Sequence, residues 1–254
     1  MQFGVCGKDD LADVAAGIGY AYVEPTVAGL LRPDEEPAAF RAGLEEYRAA
    51  GLPTYAVNCF VPARLNITGP AVDSGALRSY VKTVFERAQT AGVQIVVFGS
   101  GGARAVPDGF DHGSALRQVR EFCEMCAPLA LAHEVTVAVE PLSDCNILRT
   151  VQETADLVRW IDDPCVRLLV DSFHWGRVGD SAEAIMANGD LLAHAHVATV
   201  ENRRAPGVEP YDFGPFFNAL RKGGYDGGMS FEGRCEEPAA ELPPALALLK
   251  ELAS

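Results

Sequence analysis

Eight short apolar runs alternate with amphipathic helical patterns from one end of the chain to the other, and this alternation restricts the fold more than any other feature. The runs fall at 2–6, 20–24, 53–57, 94–98, 135–140, 167–171, 192–197 and 228–232. Stretches such as VQIVVF and VRLLV are apolar almost throughout, as strands are when a parallel sheet is covered on both faces. The intervening segments are one-sided. After the third run Leu77, Tyr80, Val81, Val84, Phe85 and Ala88 recur at steps of three and four, while Arg78, Lys82, Glu86 and Arg87 take the opposite face. Strand followed by helix, repeated, gives a parallel sheet with right-handed crossovers. Gly51 and Gly92 end helical patterns just before a strand, where a left-handed residue is wanted. No linker, repeat or low-complexity tract divides the chain, and RPDEEP at 32–37 is a short loop entering a helix. The expected fold is therefore α/β, a single-domain (β/α)8 TIM barrel over residues 1–254. An open doubly wound sheet is the alternative, but eight units and widely dispersed acidic strand ends favour closure.

Composition narrows the function. Net charge is −14, from 35 acids against 21 bases, which disfavours a nucleic-acid groove because phosphate neutralisation needs clustered Lys and Arg. No apolar run approaches bilayer length, and MQFGVCGKDD has no secretory pattern, so a soluble, unexported protein without a membrane partner is expected. Seven cysteines without regular spacing suit a reducing compartment, read as cytoplasm. Cys123 and Cys126 form a lone CEMC inside a helical pattern and are expected to pack against the barrel. Cys6, Cys59, Cys145 and Cys235 lie near strand ends, but no paired base accompanies them, which argues against nucleophilic catalysis.

The ends of four runs carry the chemistry. Glu140, Asp171, His196 and Glu232 close VTVAVE, VRLLVD, LLAHAH and GMSFE. A charge placed beside Val and Leu costs several kcal/mol unless it is paired or bound to a cation. A parallel barrel gathers these ends on one face, where catalytic residues collect. Three carboxylates and one imidazole form a hard donor set, suited to one divalent ion: Mn²⁺, Mg²⁺ or Co²⁺, with Zn²⁺ acceptable. His194 lies two residues before His196, so it points to the same side but deeper, in a supporting role. Glu24 ends the second run, where it can bond a substrate hydroxyl or join a salt bridge in the rim. GSGGAR at 99–104 lacks the ending of a P-loop and the third glycine of a dinucleotide fingerprint; it reads as a tight turn with Arg104 as its functional member.

The segments VEPTVAGL, VNCFVPARLNITGP, VFGSGGARAVPDGF, VAVEPLSDCNILRTV, LLVDSFHWG, HAHVATVENRRAPG and GYDGGMSFEGR, in that order, resemble the xylose-isomerase-like TIM barrels. Within that family they are most similar to the sugar phosphate isomerase/epimerase group, which includes ketose 3-epimerases and hydroxypyruvate isomerases. The resemblance implies that Glu140, Asp171, His196 and Glu232 are metal ligands and that Glu140 and Glu232 are also the acid/base pair. It further implies substrate-binding roles for His174 and for Arg203 or Arg204, with Asp144 and Asn146 in the loop after the fifth strand.

The chemistry of these residues agrees with that class. A divalent ion can hold the adjacent carbonyl and hydroxyl oxygens of a ketose and acidify the neighbouring C–H, and two carboxylates can then remove and return the proton through an enediolate. The expected protein is a metal-dependent isomerase or epimerase of a small sugar, sugar phosphate or hydroxycarbonyl compound. Its partner is a small polyhydroxylated substrate, with homo-oligomerisation left open. Rival readings are a dehydratase of the same barrel, an endonuclease of the same superfamily, which would need a basic groove, and a sugar-binding barrel that has lost catalysis.

Overall fold

Every apolar run contributes a strand to one parallel sheet. The computed structural model describes residues 1–7 and 9–254. Its strands are β1 (Gln2–Cys6), β2 (Tyr22–Glu24), β3 (Ala56–Val57), β4 (Ile95–Phe98), β5 (Thr136–Val139), β6 (Val166–Asp171), β7 (Leu192–Val197) and β8 (Gly228–Phe231). They are hydrogen-bonded in the order β2-β1-β8-β7-β6-β5-β4-β3. The two ends of that order meet through single bridges, Val23 with Thr54 and Thr26 with Asn58, so the sheet is a nearly closed (β/α)8 barrel. The weak seam has a local cause. The third strand was expected to start at residue 53, but Pro53 has no N–H to give to a ladder, and only Ala56 and Val57 pair regularly with β4.

Helices cover the outside as their patterns require. In the helix Ser74–Ala91 the six apolar positions named above are the buried ones. Asp73 caps its start by accepting from the Ala76 N–H, and Gly92 at φ 80° ends it. Cys123 and Cys126 are fully buried in the helix His112–Ala132, in the packing role expected of them.

Each strand alternates between two environments. Val5, Val23, Val57, Phe98, Val139, Val170, Val197 and Phe231 belong to the layer between sheet and helices. The residues between them face the barrel axis, where Ala56, Ile95, Val97, Ala138 and Leu169 form a small core of their own. One step further along the axis-facing rows lie Cys6, Glu24, Asn58, Gly99, Glu140, Asp171, His196 and Glu232, one from each strand at or next to its carboxyl end. The buried carboxylates Glu24, Glu140 and Asp171 are thus gathered at one mouth of the barrel.

Gly4 shows how tightly the axis is filled. A Cβ there would lie 2.1 Å from the Tyr22 ring, whose hydroxyl is 3.1 Å from Ser230 Oγ. Gly4→Ala should force that ring aside and destabilise the fold by about 1–3 kcal/mol, the usual cost of overpacking. Urea unfolding would measure it, and an unchanged midpoint would show that the axis has slack.

Candidate metal centre

The barrel brings the four sequence-predicted ligands together. Glu140, Asp171, His196 and Glu232 each offer one ligand atom, and these four atoms lie within 4.8 Å of one another. Glu140, Asp171 and His196 are buried; Glu232 is partly exposed at the cleft. His196 Nδ1 is 3.3 Å from Glu140 Oε1 and 3.2 Å from Glu232 Oε2.

Beneath the cluster Glu24 fixes the imidazole. His196 Nε2 donates to Glu24 Oε1 at 2.9 Å, and His194 Nε2 donates to Oε2 at 2.8 Å. The Ser230 hydroxyl is a third donor to this carboxylate, bonding Oε2 at 2.5 Å. Burial opposes charge on Glu24, but the two imidazoles outweigh it and hold its carboxyl well below the usual carboxylate range. With Nε2–H committed to Glu24, Nδ1 is the nitrogen turned to the carboxylates, as in a carboxylate–histidine–metal relay.

The same crowding perturbs the other members. Burial works against a charged imidazole, yet the carboxylates of Glu24 and Glu232 push His196 well above its ordinary value. Burial also raises Asp171, an effect that His174 and Arg203 reduce and to which Glu140 and Glu232 add more weakly. Glu232 is held low despite burial by His196 and Arg203. Three carboxylates and an imidazole nitrogen this close fit a divalent cation: oxygen-rich, compact and short of positive charge.

Arg203, not Arg204, faces this centre. Its Nη2 bonds Glu232 Oε2 and lies 3.3 Å from Asp171 Oδ2, and its guanidinium carbon sits 4.7 Å from the centre of the Phe173 ring. A positive φ of 54° turns the chain at Arg203, and its carbonyl accepts from Arg234 N–H at 2.7 Å, tying this loop to the end of β8. A Cβ on Gly233 would lie 2.2 Å from that carbonyl oxygen. Arg204 points the other way, to Glu236 and Glu241 at 3.0 and 2.9 Å.

His174 is buried with Nε2 3.8 Å from Asp171 Oδ2. Its Nδ1 accepts from the Ser143 N–H at 3.1 Å, which leaves the proton on Nε2, the side facing the cluster. Asp144 lines the rim, whereas Asn146 is spent on Val106, donating to its carbonyl and accepting from its N–H, each at 2.8 Å.

Two more of the expected residues are engaged by the protein itself. Arg104 is fully buried: it donates to the carbonyls of Phe98 at 3.2 Å and Glu140 at 2.7 Å, and so it braces the Glu140 backbone from below instead of meeting substrate. The glycines of its turn are there for close approach, since a Cβ on Gly99 would lie 2.5 Å from Glu140 Oε2. Glu24 faces imidazoles with both oxygens engaged, so of its two expected roles the structure shows the salt bridge within the rim. Burial, then neighbouring carboxylates, pushes the Cys59 thiol up to about 11 and that of Cys6 well above its normal value. Two clefts, of about 490 and 590 Å³, open on either side of Glu232 and Gly233.

A family model described as xylose isomerase-like TIM barrel matches residues 12–252. The chain belongs to that family. Among curated proteins it is similar to the 3-dehydro-D-guloside 4-epimerase of Escherichia coli, 29% identical over 139 residues covering 53% of each chain. It is also similar to the D-psicose 3-epimerase of Enterocloster bolteae, 30% identical over 125 residues, 48% of this chain and 40% of that one. The matched stretches thus span about half or less of these relatives' length. A solved D-psicose 3-epimerase, crystallised in the presence of D-fructose, shares the fold with a TM-score of 0.86 at 16% identity, over 100% of this chain and 99% of that one.

Titration calorimetry with MnCl2 should give one site per chain. Loading should release protons, because a cation displaces the one that His196 Nδ1 shares with its carboxylates. Affinity should therefore fall as pH falls. Glu24→Gln should weaken binding about 10–100-fold, the usual cost of losing a partner behind a metal-bound imidazole. Unchanged affinity in that variant would remove Glu24 from the site.

Proposed function

We propose that this chain is a divalent-metal-dependent epimerase or isomerase of a ketose, working by proton transfer between two carboxylates. The observation that supports it best is a compact cation site that brings together Glu140 and Glu232 from different strands and meets an open cleft at Glu232. The epimerase names of the partial relatives point the same way.

Glu140, Asp171, His196 and Glu232 would hold the ion. When bound, it draws electron density from a substrate carbonyl and acidifies the adjacent C–H. Glu140 and Glu232 then act on that carbon from different strands, one removing the proton and the other returning it. Return to the opposite face inverts a stereocentre, whereas return to the neighbouring carbon interconverts aldose and ketose. Arg203 and the Nε2–H of His174 supply fixed donors for substrate oxygens at the cluster. Burial of most of the site strengthens these contacts by keeping water from competing for them.

D-psicose, D-fructose and D-tagatose with Mn²⁺ form the first panel. Turnover in D2O should place deuterium on the carbon beside the carbonyl, since a carboxylate exchanges its proton with solvent. A product free of solvent deuterium would point to hydride transfer, and a product lacking a hydroxyl to a dehydratase. Glu140→Gln and Glu232→Gln, with metal content verified, should each lower kcat by at least about a hundredfold. Full turnover by either variant would exclude the two-carboxylate mechanism.

A further inference from the structure

Asn58 is the third strand's member of the polar ring at the barrel mouth, and the mechanism above does not use it. Its backbone is pinned at the seam of the barrel: its N–H donates to the Pro25 carbonyl at 3.1 Å, and its carbonyl accepts from Val27 N–H at 2.8 Å. The side chain is buried and lines the cleft beside Glu232. Its Nδ2 donates to Glu232 Oε1 at 3.3 Å, whereas its Oδ1 is buried with no partner among the described residues. The amide cannot be turned round to cure this, because an ionised carboxylate offers no hydrogen to an amide oxygen. A buried polar side chain half satisfied in this way is rare. The group it does engage indicates its role.

The two oxygens of Glu232 have different neighbours. Oε2 faces His196 Nδ1 and Arg203, and belongs to the cation cluster. Oε1 faces Asn58 at the edge of the cleft. We infer that Asn58 is a positioning residue that divides the labour of Glu232, keeping Oε2 on the cluster and presenting Oε1 to the substrate carbon for proton transfer. The inference rests on the ketose reading of this site, but the orientation of the carboxylate can be tested without it.

Asn58→Leu removes the donor at similar size; Asn58→Ala replaces it should the first variant fail to fold. Against D-fructose and D-psicose with Mn²⁺, kcat should fall about tenfold to a hundredfold, the scale of a misplaced catalytic group. KM and Mn²⁺ affinity should stay within about threefold, because Oε2 and the other ligands are untouched. In a Glu232→Gln background the same change should cost nothing more, since residues that act as a unit are not additive. A merely structural Asn58 would instead lower Mn²⁺ affinity and add its loss to that of Glu232→Gln, which would overturn the inference. Crystal structures of the Mn²⁺-loaded wild type and the variant supply a readout free of substrate: the Glu232 carboxylate should turn in the variant, and an unmoved carboxylate would also overturn it. If wild-type protein leaves these ketoses unchanged, the substrate reading fails while the structures still decide the role of Asn58.

Discussion

The hydrogen bond from His196 Nε2 to Glu24 is the contact on which the rest of the site depends. A neutral imidazole can present either nitrogen, and the carboxylate beneath it selects Nδ1 for the cluster above. Glu24 is fully buried, a placement that its three donors, His194, His196 and Ser230, make tolerable. Those donors come from β7 and β8, while Glu24 itself comes from β2. The acceptor therefore ties together strands far apart in sequence, and the polar mouth rests on that tie.

The period of the strand explains why the chemistry is so concentrated. Apolar residues that pack against helices alternate with residues that face the axis, so each strand sends one side chain to the mouth without disturbing the outer layer. Lower on the axis that row is filled by small or apolar residues and by the tyrosines Tyr22 and Tyr55, which tilt against each other and His194. Space at the mouth is allotted as closely. Gly99 has no side chain because Glu140 occupies its place, and Arg104 braces the Glu140 carbonyl from beneath.

Much of this was legible in the sequence. The barrel follows from apolar runs alternating with one-sided helices, and the four candidate ligands from charges standing at the ends of such runs. What escaped was whatever depended on loop conformation or on pairing across the barrel. Arg203 and Arg204 are neighbours of the same type, and only the left-handed turn at Arg203 separates the one that meets Glu232 from the one that meets Glu236. Arg104 follows a glycine-rich turn and so reads as available, yet that turn folds it back onto the carbonyls of Phe98 and Glu140. Asn58 and Ser230 were missed, although each continues the axis-facing row of its strand; counting by twos from Ala56 and from Gly228 would have found them.

The central claim is that one cation sits among Glu140, Asp171, His196 Nδ1 and Glu232. Anomalous diffraction at the manganese edge, on crystals grown with MnCl2, tests it most directly. A single strong peak is expected within about 2.0–2.4 Å of an oxygen from each carboxylate and of the His196 nitrogen. A peak elsewhere, or manganese bound through fewer than three of these side chains, would contradict it.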